Sequence, residues 1–379
     1  MEIDVSELKA KSFECLDGCA MCCLCQPELS MDELAGFRKN GLTAGLTKNH
    51  IQGYRTDEPT AIKLQGGNGA CHFLRDRRCT IHELRPAFCR QFPVHVHALH
   101  RIQLNANLSC RGITRGGDSL AQFGNSLVSD IDPGMMASIL VETRDAVKSF
   151  EAEAAKAGVH RTPERLREAA DGIIPVLCRP GGIGRVLAFA DSDMPKGSME
   201  LSEILSQIEK AEPPEDLWEA AAKGNYEQLE LENPAWRPVY VDAEFRWRSY
   251  HSTDGKIKVE GLGQDGTLTP ELEIPLDEIP LLEPDEGAWL AFNDYADVLN
   301  SRDHFLGYSY WMCENHDYAH DLMAVYLGLL GTAMLDLWWR TGLVGRIQGR
   351  KRLDRDLALE GIRAFDMDCL DMPTKGVFF

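Results

Sequence analysis

The sequence predicts a mostly helical α+β protein: an irregular, cysteine-rich N-terminal metal-binding domain followed by a helical body with a small antiparallel β element. Three observations predict it. Nine of the twelve cysteines fall within the first 110 residues, at Cys15, Cys19, Cys22, Cys23, Cys25, Cys71, Cys79, Cys89 and Cys110. Apolar residues recur at helical spacing from 119 to about 232, and the chain reads as helical again from about 286 to 365. Between them, "PVYVDAEFRWRSYHSTDGKIKVEGL" alternates aromatic and β-branched positions on either side of "STDGK", a hairpin signal. The expected boundaries are 1–118 for the cysteine domain, 119–232 for a helical region, 233–285 for the β element and 286–379 for a C-terminal helical region.

Taken in order, "SMDELAGFRKNG" at 30–41 predicts a short helix: Ser30 caps it, Glu33 completes a capping box and Gly41 stops it. "MMASILVETRDAVKSFEAEAAKAG" at 135–158 predicts a longer helix ending at Gly158, and "TPERLREAADGIIPVLC" and "SMELSEILSQIEKAEPPEDLWEAAAKG" predict further ones. "RPGGIGR" at 179–185 is Gly-rich but lacks the phosphate-loop Lys-Ser/Thr, so it is expected to be a plain loop. "LMAVYLGLLGTAML", from Leu322 to Leu335, is 14 residues long and reads as a buried core helix. Phe305, Tyr308, Tyr310, Trp311, Trp338 and Trp339 are expected to be core.

With 379 residues, 44% hydrophobic and 26% charged, the chain resembles an ordinary globular protein that buries a sizeable core. No apolar run reaches the roughly 18–20 residues that cross a bilayer, so no membrane insertion is expected. A formal charge of −19 argues against nucleic acid as a partner. The opening "MEIDVSELKAKSFE" has no apolar core of a secretory signal, which predicts a reducing cytoplasm where structural disulfides are rare. Charge is uneven, however. Between Cys71 and Arg115 lie Arg75, Arg77, Arg78, Arg85, Arg90, Arg101, Arg111 and Arg115 against only Asp76 and Glu83. A second basic run, "GRIQGRKR", lies at 345–352.

Thiolate ligands need a loop that lets several sulfurs converge. Cys15-x3-Cys19-x2-Cys22 does this locally, and Cys71, Cys79, Cys89 and Cys110 add sulfur from elsewhere in the chain. The adjacent pair Cys22–Cys23 is expected to point apart, which suits a polynuclear cluster, two nearby sites, or one ligand beside a supporting thiol. A zinc ribbon would show two C-x2-C pairs, and this sequence does not. Four thiolates around a metal leave a negative site that nearby guanidinium groups offset. The Cys15–Cys22 spacing also matches radical S-adenosylmethionine enzymes, but the strand–helix alternation of their barrel does not follow. Cys178, Cys313 and Cys369 read as buried small hydrophobes.

"CLDGCAMCC", "CHFLRDRRCTIHELRPAFCRQFP" and "CRGI" together resemble the YkgJ-type cysteine-cluster family, described as zinc- or iron-chelating. The resemblance covers about the first 115 residues. It implies metal ligation by Cys15, Cys19, Cys22, Cys23, Cys71, Cys79, Cys89 and Cys110, with Arg85, Pro86, Arg90, Pro93 and Gly112 as further motif positions. His82 stands where the family usually has Tyr and could add a nitrogen ligand, and Cys25 is extra. Arg85, Arg90 and His82 are accordingly expected beside the metal group. Cysteine excess, adjacent thiols and a basic surround favour an iron–sulfur cluster, of the 4Fe–4S type and one or two in number, over zinc.

A second candidate is "WMCENHDYAHD" at 311–321, which places Glu314, His316, His320 and Asp321 in one expected helix. His316 and His320 at i, i+4 then share a face in the manner of a divalent metal site. The rival reading is a solvated or capping pair at the start of a core helix. His95, His97 and His100 in "PVHVHALH" are expected on a half-exposed strand. The functions these observations leave open are threefold: an iron–sulfur protein serving electron transfer, or modification or metallocofactor maturation of a protein partner; an enzyme similar to protein-lysine methyltransferases such as flagellin lysine N-methylases; and a zinc-stapled interaction protein.

Overall fold

A computed structural model describes residues 3–50, 57–114, 116–130, 133–192, 196–230, 238–370, 372 and 374–378. Arg115 of the basic stretch and residues 233–237 of the expected β element lie outside them. The mostly helical α+β class is what the chain adopts: twelve α-helices among the described residues, with two four-stranded sheets and three two-stranded ones.

The Met31–Lys39 helix starts as its sequence dictates. Ser30 Oγ accepts from the Glu33 amide, Glu33 accepts from the Ser30 amide, and Gly41 follows in the left-handed region at φ 71°. The middle of the chain forms helices Leu120–Asp130, Pro133–Lys156, Pro163–Leu177, Gly182–Asp191, Leu201–Lys210 and Leu217–Gln228. "RPGGIGR" is not a plain loop. Gly181, at φ 74°, caps a helix that begins at Gly182, where a Cβ would lie 1.9 Å from the Val176 carbonyl oxygen. The glycines therefore serve a tight helix–helix corner.

The expected hairpin forms around "STDGK". Strands Trp247–Thr253 and Lys256–Leu262 pair antiparallel with Thr253 opposite Lys256, and Asp254 and Gly255 both take positive φ, the backbone that a two-residue primed turn requires. Val239–Val241 and Leu268–Pro275 flank them to complete a four-stranded meander.

Helices Glu286–Ser301, Asp303–Asn315, Leu322–Ile347 and Arg355–Leu370 build the principal core together with the helices of the middle region. The apolar helix is longer than its 14-residue run, reaching 26 residues. By length and composition it would span a bilayer, but 67% of its most apolar window is buried inside the protein. It also carries the buried Asp336 and Arg340, the first bonded to Asn225 and Gln228 and the second paired with Asp368. Of the aromatic group, Phe305, Tyr310 and Trp339 are fully buried, while Tyr308 stacks on Trp311 at the edge of the core.

The second four-stranded sheet runs in the order Ile3–Asp4, Ile102–Ala106, Val94–Ala98, Val377–Phe378, with the first pair parallel. It ties both ends of the chain to its centre. It also corrects the reading of the histidine strand: Val94–Ala98 is an inner strand, and His97 is buried edge-on against His304 with ring centroids 5.2 Å apart. His100 lies beyond the strand, its ring against Tyr310. Burial depresses the pKa of His95 and of His304 to about 4 and that of His97 well below the usual imidazole value of 6.5. Each histidine is thus harder to protonate folded than unfolded. Between pH 6.5 and about 4 the unfolded chain binds more protons, and stability falls as pH drops. Each contributes a slope of up to about 1.4 kcal/mol per pH unit. Urea midpoints at pH 7 and pH 5 check this, with a clearly lower midpoint expected at pH 5.

Candidate metal centre

Four stretches of the N-terminal region surround one cavity of about 560 Å³. The first is the Cys15–Cys25 loop, which folds into the 3-10 turn Met21–Cys23 after Ala20 enters the left-handed region at φ 50°. The second is the hairpin of Leu74–Arg75 and Arg78–Cys79, whose turn residues Asp76 and Arg77 take φ of 48° and 61°. The third is the short helix Ala87–Gln91, which presents Cys89 and Arg90, its Ala87 amide held by Glu33 at 2.6 Å. The fourth is the 107–112 loop with Cys110, where Gly112 passes so near the Glu14 carbonyl oxygen that a Cβ would lie 2.2 Å from it.

All nine N-terminal cysteines line this cavity, and all are free thiols. Cys19, Cys71 and Cys110 are buried, Cys15 is exposed, and the others lie between. The Cys71 amide donates to the Cys23 carbonyl at 2.7 Å, so two stretches far apart in sequence are joined where their sulfurs face the cavity. Among the described residues no three His, Cys, Asp or Glu side chains stand close enough to hold a single ion as placed; the thiols are spread over the wall. Cys22 and Cys23 both line the cavity, and the interaction between their thiols lowers the Cys22 pKa to about 7 and raises that of Cys23. Burial pushes Cys71 up to about 11 and Cys25 and Cys110 up to about 12. A metal entering the cavity must therefore displace thiol protons, and its uptake strengthens as pH rises.

Only part of the arginine cluster serves this cavity. Arg77, Arg78, Arg85 and Arg90 line it, as does His82. Arg85 favours the thiolate forms of Cys15, Cys22 and Cys79 electrostatically, and it holds its place by donating to the His82 carbonyl at 3.0 Å while Arg90 donates to the Arg85 carbonyl at 2.7 Å. Arg78 forms a two-pronged pair with Asp17 at the rim. Three others are taken elsewhere. Arg75 caps the carbonyls of His72 and Leu74, and Arg101 pairs with Asp4 and Asp303. Arg111, beside Cys110, is buried against Glu360, Tyr240 and the Val241 carbonyl. These acceptors lie up to 249 residues away in sequence, beyond any local reading.

Trp247 was not among the expected site residues, yet it bridges the cavity to the body. It is buried in the meander, donates from Nε1 to the Cys19 carbonyl at 2.9 Å, and packs with Met21, Ala70 and Leu74. Nearby, the Ala70 amide donates to the Gln264 carbonyl at 2.8 Å, and Gly69 leaves room for that close approach.

His316 and His320 do not share a helical face. The helix Asp303–Asn315 ends before them; Asp317 and Tyr318 take positive φ, and Asp321 caps the next helix. The two rings stand 6.0 Å apart in an exposed turn. The acids expected beside them are engaged, Glu314 with Lys375 and Asp321 with Arg161. Left-handed residues between the histidines break the i, i+4 geometry that a helix would have supplied.

Residues 14–111 match a family model described as "CxxCxxCC: Putative zinc- or iron-chelating domain". No curated protein and no solved structure matches the chain. The matched stretch contains every cysteine that lines the cavity. Residues 14–111 are thus similar to the cysteine-cluster domain that this family model describes.

Proposed function

We propose that this protein binds an iron–sulfur cluster, of the 4Fe–4S type, among its N-terminal cysteines and uses it to carry electrons to or from a protein partner. The observation that supports the reading is the wall of nine free thiols around one cavity of about 560 Å³, a space suited to a polynuclear group rather than one tetrahedral ion. Cys15, Cys19, Cys22, Cys23, Cys71, Cys79, Cys89 and Cys110 are the ligand pool, with Cys25 and His82 as further donors on the same wall. The donor set fits the group: soft sulfur is what such clusters take, and four cationic side chains offset the charge of the thiolates. When bound, the cluster supplies one-electron chemistry with no covalent change to the chain. The residues' own part is to hold the group, exclude most water through Met21, Leu74 and Phe92, and leave an exposed side near Cys15 through which an electron passes. The same site would serve modification or cofactor maturation of the partner if the electron is spent there.

Anaerobic purification followed by iron and acid-labile sulfide analysis tests this. Iron and sulfide in near-equal amounts, with an electron paramagnetic resonance signal on dithionite reduction, are expected. Stoichiometric zinc without sulfide would overturn the cluster and leave a zinc-stapled module. A cluster that cannot be reduced would overturn electron transfer.

A further inference from the structure

Arg77 occupies an unusual position for a cation. It sits in the tight turn between Leu74–Arg75 and Arg78–Cys79 at φ 61°, a backbone state that costs a non-glycine residue free energy. Its guanidinium lies over the indole of Trp247 at 3.6 Å from the ring centroid, a stacked cation–π arrangement. Its Nη1 is buried and makes no hydrogen bond to any described residue, although the side chain lines the thiol cavity. A buried guanidinium N–H without an acceptor is destabilising, so its retention calls for an acceptor. Burial disfavours its charge, and the thiolate form of Cys19, the residue whose carbonyl receives the Trp247 indole N–H, would favour it. Arg77, Trp247 and Cys19 therefore form one rigid unit at the junction of cavity and meander.

We infer that Arg77 is a positioning residue for the metal group, its Nη1–H donating to a metal-bound sulfur on the Cys19 side of the cavity. The inference rests on the metal-binding reading above but not on which metal is held. Trp247 is the shelf that fixes the guanidinium plane, and the chain reaches it only because the meander docks against residues 19–24 and 70–74. Lys in this position would keep the charge but lose the planar fork and the stack.

The test compares wild type with R77M and R77K, as the 379-residue chain loaded with its metal. Metal retention is measured against a competing chelator, alongside the sulfur-to-metal charge-transfer absorption and the thermal midpoint of the metal-free chain. Met keeps an apolar stem against Trp247 while removing every donor. R77M is expected to hold metal about 10–100-fold more weakly, with a shifted absorption band and an unchanged metal-free midpoint. R77K is expected to lie between the two, and it supplies the band shift should R77M fold poorly. Wild-type retention and an unshifted band in both variants would overturn the role of Arg77 alone. A wild-type chain that takes up no metal would overturn the parent reading with it.

Discussion

Cys71→Ser and Cys110→Ser each strip the chain of most of its metal, with a loss exceeding the roughly 10–100-fold that an outer-sphere change costs, whereas Cys313→Ala leaves metal content unchanged. All three residues are buried, so exposure does not separate them; position does. Cys71 and Cys110 face the shared cavity from stretches 39 residues apart, and Cys313 lies in the helical core. The loss should carry structural consequences. The region around Cys71 has a small core of its own, built on Leu29, Leu34, Phe37, Leu46, Ile62 and Phe73, with only two-residue strands around it. A sulfur-bound metal supplies folding free energy where hydrophobic burial is thin. Chelation should therefore raise amide exchange across 14–90 while the Leu322–Ile347 helix stays protected. Inductively coupled plasma analysis and hydrogen exchange read the two effects.

Arg302→Met destabilises the fold by on the order of 3–5 kcal/mol, the cost of removing one partner from a buried ion pair. Arg302 is fully buried between Glu7 and Asp366, pairing with them at 2.9 Å and 2.7 Å and donating to the Ala106 carbonyl as well. Without it both carboxylates lose this cation and keep neutral hydrogen-bond donors, Asn105 and the Ala106 amide for Glu7 and Tyr295 and the Leu108 amide for Asp366. The effect reaches the thiol cavity through backbone contacts. Asp366 also accepts from the Leu108 amide at 2.6 Å, and the Met367 amide donates to Ser109 Oγ at 3.0 Å, so the helix Arg355–Leu370 holds the loop that presents Cys110. Adding Glu7→Gln and Asp366→Asn to Arg302→Met should recover part of the loss, since the charges then leave together. Urea unfolding of the single and triple variants measures both steps.

What the sequence made legible is local. The capping box at Ser30 and Glu33, the Asp254–Gly255 turn and the cysteine blocks all announce themselves within a few residues, because each depends on backbone geometry or on spacing along one loop. What stayed hidden depends on partners far away. Arg101 and Arg111 look like neighbours of the cysteines, but Asp303 and Glu360 claim them. His95 and His97 alternate like a half-exposed strand, but Val377–Phe378 pairs onto its open edge and His304 covers it. His316 and His320 have helical spacing, yet Asp317 and Tyr318 leave the helical region between them. Trp247 carried no local sign of a role near the site, since only the docking of the meander brings it over Arg77 and Cys19.

Native mass spectrometry of the anaerobically purified 379-residue chain decides whether the thiol cavity holds a metal group. A mass above that of the bare polypeptide by a metal-containing group is expected, lost when the cavity cysteines are replaced together and kept when Cys178, Cys313 and Cys369 are. A bare polypeptide mass, with the nine N-terminal thiols all open to alkylation or joined as disulfides, would contradict it.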